Sequence, residues 1–234
     1  MGRKRVVPEP RRTPRRGERC GARRRLPGPS ATLPWMDRPL LLFAPGAGAP
    51  STSTWMAAWA AKLEALGQVV RFDYPYTLAG RRAPDRLPVL LDAHAEALAA
   101  ARAGGRGAVV LVGKSMGSRI GCHLALREAV AGLVCLGYPL RGASGELRDQ
   151  VLLELSTRIL FVQGTRDRLC PLDELEAVRG RMQAPSALHV VEGGDHSLLV
   201  GARALRASGR TQAQEDEGVL AAISSFLAGP ASPR

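Results

Sequence analysis

The sequence predicts an α/β protein: a mostly parallel sheet of about six strands with helices on both faces. Three observations carry this. Short runs rich in Val, Ile and Leu recur at 40–44, 68–72, 108–112, 133–137, 158–163 and 187–191. Most are separated by segments long enough for a helix. The runs at 40–44 and 108–112 are apolar throughout rather than alternating, as strands covered on both faces must be.

The elements follow in order. After the strand at 40–44, a helix over 54–66 carries Trp55, Met56, Trp59, Leu63 and Leu66 as an apolar stripe. The strand at 68–72 leads through a long loop to a helix near 88–103 and the strand at 108–112. A helix over about 116–130 precedes the strand at 133–137. The strand at 158–163, a helix over 171–182, the strand at 187–191 and a helix over 215–228 complete the core. Domains of this length and pattern fold around a single core.

The most informative stretch is Val109-Val110-Leu111-Val112-Gly113-Lys114-Ser115-Met116-Gly117. A buried strand breaks at Gly-x-Ser-x-Gly and turns straight into a helix, with Ile120, Leu124 and Leu126 behind it. A serine on so sharp a turn is held in a strained backbone that exposes its hydroxyl. Gly113 and Gly117 are required because a Cβ at either position would strike a neighbouring strand or helix. A structural strand-to-helix turn is the competing reading of the bare motif.

A serine hydroxyl needs a base, and the base needs an orienting carboxylate. Asp167 follows the strand at 158–163 in Gln163-Gly164-Thr165-Arg166-Asp167, and His196 follows the strand at 187–191 in Gly193-Gly194-Asp195-His196. Both loops lie at the strand ends that share an edge with Ser115, in the order Ser, Asp, His. The other histidines read differently. His94 belongs to the solvent face of an Ala-rich helix, His123 sits two turns beyond Ser115, and His189 lies inside a strand. Asp173 starts a helix, where the dipole accounts for it. Asp195 adjoins His196 too closely to face it.

Acyl chemistry also needs two amides aimed at the developing oxyanion. Met116 follows the nucleophile, and Ala47 lies in the small-residue loop Pro45-Gly46-Ala47-Gly48-Ala49-Pro50. A plain Gly/Pro turn is the alternative for that loop. For substrate contacts the loop 73–82 offers Tyr74 and Tyr76 for stacking and Arg82 for an anionic group. Arg119, one turn after Ser115, is a second anion contact or a helix arginine paired with a carboxylate.

Six motifs in order carry a resemblance: Phe43-Ala44-Pro45-Gly46-Ala47-Gly48, Arg71-Phe72-Asp73-Tyr74, Gly113-Lys114-Ser115-Met116-Gly117-Ser118-Arg119, Gly137-Tyr138-Pro139-Leu140, Gly164-Thr165-Arg166-Asp167 and Gly194-Asp195-His196-Ser197. Over residues 37–227 the chain resembles the small α/β-hydrolase-like family related to dienelactone hydrolases. That family includes testis-expressed protein 30 of animals and a domain of the NSL complex regulatory subunit 3. The resemblance implies a minimal α/β-hydrolase fold, without the two leading strands, and a Ser-His-Asp constellation of undefined substrate. Pro45-Gly46 stands where many hydrolases have His-Gly. The roughly twenty residues between the strands at 133–137 and 158–163 are too few for a lid domain, so the site is open.

Charge divides the chain. Residues 1–30 carry net +9 of the formal +12, broken by Pro and Gly, and read as part of a basic disordered tail over 1–36. Met36 is also a candidate true start, which would leave residues 1–35 untranslated. Arg outnumbers Lys 30 to 3, as in a GC-rich gene. The hydrolase domain is then 37–228, with a disordered end over 229–234. The tail lacks aromatics for base stacking, and no nucleic-acid fold follows it, so nucleic acid is not an expected partner. No apolar run approaches the ~20 residues of a membrane span, and no secretory h-region follows the arginines.

Cys20, Cys122, Cys135 and Cys170 show neither redox-pair nor metal spacing, which favours a reducing cytoplasm. No cofactor or metal is expected, and the oligomeric state is open. The expected activity is cleavage of a small carboxylic ester or related acyl bond. The alternative is a hydrolase-fold binding or scaffold protein without turnover.

Overall fold

The computed structural model describes residues 38–104, 107–142 and 144–229, together with the first two residues. The basic tail, its candidate start at Met36, Cys20 and most of the expected disordered C-terminus lie outside the described residues.

The elements run β1 (Leu40–Ala44), α1 (Thr54–Leu63), β2 (Gln68–Arg71), α2 (Pro75–Leu78), α3 (Leu87–Gly104), β3 (Val109–Lys114) and α4 (Met116–Ala125). They continue through β4 (Gly132–Leu136), α5 (Gln150–Glu154), β5 (Ile159–Gly164), α6 (Leu172–Arg179), β6 (Ser186–Val191), α7 (Ala202–Ser208) and α8 (Gln212–Ala228). The six strands form one sheet in the order β2-β1-β3-β4-β5-β6, every pairing parallel.

Alternate residues of each central strand serve opposite faces. Leu40, Leu42, Leu111, Leu133, Cys135 and Phe161 pack with Leu98 of α3, Ile120 of α4, Leu152 of α5 and Leu175 of α6. Leu41, Phe43, Val110, Val112, Val134 and Val162 pack on the other side with Trp59 and Leu63 of α1 and Ile223 of α8. All the central strands are buried throughout, which is why they read as continuous apolar runs. The parallel arrangement brings the carboxyl ends of all six strands to one edge, and the loops leaving that edge build the site.

Several boundaries differ from the sequence reading. The helix after the elbow stops at Ala125 rather than near residue 130. Tight turns follow (Leu126 N to His123 O at 3.4 Å, Arg127 N to Leu124 O at 2.9 Å), and Arg102 pulls the chain aside by binding Glu128 and the Ala129 carbonyl. The last helix begins earlier, where Thr211 and Gln214 form a reciprocal capping box. The expected loop 73–82 contains the one-turn α2, begun by Pro75 at the position where a missing N–H costs nothing. Among the described residues no helix is long and apolar enough to cross a membrane.

His94 corrects an expectation. It does not face solvent: it is buried on the inner face of α3. Phe72 and Tyr74 fold back over that face, with the Phe72 ring centroid 4.9 Å from the imidazole and the Tyr74 hydroxyl 3.2 Å from Nδ1. The cover comes from a loop distant in sequence, which the local Ala-rich pattern does not reveal. Burial pushes the imidazole down to about 3. Below pH ~6.5 the unfolded chain takes up a proton that the folded His94 refuses until about pH 3, so stability falls as pH drops through that window. His94→Leu removes this proton linkage. The variant's urea midpoint should therefore decline less than the parent's between pH 6.5 and 4, measured by fluorescence unfolding.

Candidate active site

β3 ends at Lys114, and Ser115 turns the chain with φ 49° and ψ −113° before α4 begins at Met116. A non-glycine residue there holds about 1–3 kcal/mol of backbone strain. Two close approaches enforce the turn. A Cβ on Gly113 would sit 2.2 Å from the Ser118 amide nitrogen, and one on Gly117 would sit 2.5 Å from the Ala44 carbonyl oxygen. The first locks α4 onto β3, and the second lets the loop after β1 lie against α4. The Ser115 amide donates to the Leu136 carbonyl at 3.1 Å, tying the turn to β4.

The residues expected to act together do meet. His196 Nε2 lies 2.8 Å from Ser115 Oγ, and His196 Nδ1 lies 2.7 Å from Asp167 Oδ2. A carboxylate only accepts, so Nδ1–H donates to Asp167 and Nε2 is left to accept from the serine hydroxyl. Asp167 is almost fully buried. Its Oδ1 accepts from the Leu169 amide at 2.9 Å, and its Oδ2 accepts a second bond from Gln163 Nε2. The Gln163 amide is fixed in turn, because its Oε1 accepts from the Tyr138 amide at 3.0 Å. Asp195 has a structural role: its Oδ1 accepts from the Ser197 and Leu199 amides at 2.7 and 3.0 Å, closing the turn that presents His196.

Met116 and Ala47 line, together with Ser115, a cavity of about 350 Å³. The Met116 amide opens α4 and has no carbonyl one turn back to bond. The loop bearing Ala47 packs on the turn, since a Cβ on Gly46 would lie 3.6 Å from Ser115 Cβ.

None of the substrate contacts expected from loop 73–82 lines the cavity. Tyr74 and Tyr76 do not line the cavity: both are fully buried. Their rings stack on each other at 6.3 Å, because the loop turns inward to roof α3. The Tyr74 hydroxyl binds His94, and burial raises its pKa far above the usual phenol value. The Tyr76 hydroxyl reaches the Ala47 loop instead, 3.4 Å from the Gly48 amide and 3.5 Å from the Gly46 carbonyl. Arg82 is exposed and lies outside the cavity lining, to which Pro84 and Asp85, just beyond that loop, contribute.

Arg119 does line the cavity, with Arg141 and Arg148 from the segment between β4 and β5. Arg141 pairs with Glu174, and Arg148 pairs with Glu146 at 2.9 Å. Arg119 has no carboxylate within ion-pair distance among the described residues. Desolvation first, then the neighbouring Arg148 charge, lowers its pKa.

Comparison with known proteins agrees with this architecture. Residues 37–228 match the model of the alpha/beta hydrolase domain family, and the chain belongs to that family. An alpha-beta serine hydrolase homologue from Coxiella burnetii superposes with TM-score 0.61 at 18% identity, over 79% of this chain and 85% of that one. A putative alpha/beta hydrolase of unknown function from Agrobacterium tumefaciens gives 0.64 at 14% identity, over 84% and 89%. A dienelactone hydrolase from Anabaena variabilis gives 0.57 at 18% identity, over 77% and 85%. These likenesses establish the shared fold.

Gly113→Ala tests the turn. Its methyl group meets backbone rather than a flexible side chain, so the variant should lose about 1–3 kcal/mol of stability, read as a lower urea midpoint with unchanged m-value.

Proposed function

We propose that the protein is a serine hydrolase cleaving a carboxylic ester or related acyl bond of a small substrate. The observation that carries this reading is the unbroken hydrogen-bond line from Ser115 through His196 to Asp167, with bonds of 2.8 and 2.7 Å, at the wall of a cavity. Ser115 Oγ attacks the substrate carbonyl carbon as His196 Nε2 takes its proton. Asp167 holds the imidazole and stabilises its cationic form. The Met116 and Ala47 amides receive the oxyanion, each donor contributing about 2.7–4 kcal/mol in a preformed site. His196 then gives its proton to the leaving alcohol, and an acyl group remains on Ser115. Water, losing a proton to His196, attacks the acyl carbonyl. The bond from that carbon to Ser115 Oγ then breaks as His196 returns the proton to Oγ, releasing the acid and restoring the free serine. No step calls for a metal or cofactor.

The reading includes a cytoplasmic setting, supported by Cys122, Cys135 and Cys170, all buried and free. It also includes kinship with the relatives of testis-expressed protein 30, supported by the six ordered motifs. Within the cavity, Arg119 is the proposed substrate contact: a guanidinium beside the nucleophile, with no carboxylate within ion-pair distance among the described residues, suits an ester bearing a second, anionic group. Asp85 does not oppose this, because Arg81 neutralises it at 2.7 Å.

A fluorophosphonate probe should label the native protein and fail to label Ser115→Ala or His196→Ala. A well-folded parent that resists the probe would move the reading to a binding protein without turnover. Arg119→Gln should lower kcat/KM for a dicarboxylic hemi-ester about tenfold or more, as loss of a charged hydrogen bond predicts. A neutral ester of equal length should change less than about twofold. Equal losses on both esters would remove Arg119 from substrate recognition.

A further inference from the structure

Lys114 occupies the first variable position of the Gly-x-Ser-x-Gly turn, yet the residue is only 8% exposed. Its surroundings account for all of its length. The Cγ passes beneath the loop after β1, 3.3 Å from where a Cβ on Gly46 would lie. The Nζ donates to the His196 carbonyl oxygen and stands 5.2 Å from the centroid of the Trp55 ring. The same indole donates from Nε1 to the Ser197 carbonyl at 2.9 Å. Ammonium and indole thus grip consecutive carbonyls of the loop that presents the imidazole. A side chain on Gly137 would break this arrangement: its Cβ would fall 2.5 Å from the His196 carbonyl oxygen, 3.2 Å from Lys114 Nζ and 3.5 Å from His196 Nδ1.

We infer that Lys114 is a positioning residue: with Trp55 it clamps the His196–Ser197 backbone and so fixes the imidazole between Ser115 and Asp167. The inference rests on the proposed catalytic roles of those three residues. An ammonium fits the task because it is compact, carries three donors and meets the Trp55 face, no carboxylate among the described residues lying within ion-pair distance of it. The groups that face it from other elements are Asp167 after β5, Asp195 and His196 after β6, and Trp55 of α1. Burial pushes the ammonium down to about 8, against the pull of Asp167 and Asp195. Below that pH the fold carries a buried charge, a cost relieved as pH rises toward the lysine's ordinary value. A residue kept only for stability would not be a buried lysine at this place.

The test is Lys114→Met in the full chain, which keeps most of the volume and removes the charge. At pH 7 its Tm should be no lower than the parent's, while kcat on p-nitrophenyl acetate falls at least tenfold and KM stays within twofold. The parent's kcat should decline as pH rises through about 8, and the variant's should not. Independently of turnover, the downfield proton NMR signal of the His196 Nδ1–H bonded to Asp167 should be sharp in the parent and broadened or lost in Lys114→Met. Parental kcat, or a sharp signal in the folded variant, overturns the clamp. Should Lys114→Met not fold, Trp55→Phe decides: it keeps an aromatic face and deletes the Ser197 donor, so a broadened signal supports the clamp and a sharp one overturns it. A parent with the sharp signal but no turnover on any ester would sink the hydrolase reading alone, since the signal comparison still judges the clamp. A parent lacking the signal overturns the clamp itself.

Discussion

Ser115 sits in a backbone conformation that side-chain-bearing residues avoid, and the site is organised around keeping it there. The strain has no local remedy, because nothing in the serine itself favours φ 49°. It persists because β3 and α4 are both packed before and after it: Val110, Leu111 and Val112 on one side and Ile120, Cys122 and Leu124 on the other are buried. Burial of a Val or Leu side chain contributes about 1.5–3 kcal/mol. A handful of these side chains exceeds the strain at one residue. Gly113 and Gly117 convert this packing into geometry, since their missing side chains allow the helix to touch its own strand and the preceding loop to touch the helix.

Once the turn is held, the parallel sheet supplies the remaining groups from neighbouring strand ends. β1 leads to the loop of Ala47, β3 to Ser115, β5 to Asp167 and β6 to His196. The register between β5 and β6 runs continuously from Ile159–Ser186 to Gly164–Val191, which brings the loops of Asp167 and His196 out side by side. Each is then stiffened by its own short-range bonds: Asp167 by the Leu169 amide and Gln163, and His196 by the Asx turn at Asp195. A side chain on Gly164 would collide with the Gly194 carbonyl at 2.2 Å, so these two loops are in backbone contact as well.

The division between what was legible in the sequence and what was not follows the same logic. Strands flanking Gly-rich turns announced all six sheet positions, and the three residues that meet at the site stand at strand ends, where period and order locate them. The direction of side chains in irregular segments is a different matter. Tyr74 and Tyr76 read as substrate stacking groups because they lie in a loop at the correct edge, but the loop buries them over His94, and that inward turn depends on Phe72 and on α3. Arg82 is exposed, whereas Arg141 and Arg148 reach the cavity from a segment whose small antiparallel bridge, Arg141 with Leu147, leaves no sequence signature. Gln163 had one weak signal, a polar residue inside an apolar strand run. Lys114 had another, a charge between a strand and the serine.

Charge, not enclosure, is what the cavity offers a substrate. The segment between β4 and β5 brings Arg141 and Arg148 into the cavity lining with Arg119. Of the three, Arg141 and Arg148 are tied to Glu174 and Glu146, which fixes their positions and spends their charge. Arg119 sits one turn into the nucleophile helix, and Arg148 beside it makes its desolvated charge costlier to hold. An anionic group on the substrate would relieve both costs at once, desolvation and like-charge repulsion, and would do so a single helical turn from the attacking oxygen. Lys114 lies behind the same turn, on the side of Asp167 and Asp195. There its charge faces those two carboxylates and the Trp55 ring, which leaves Arg119 as the cation turned to the cavity beside Ser115. Under the proposed function a neutral ester gains nothing from that cation, and Arg119 is the residue to which the proposal assigns selectivity.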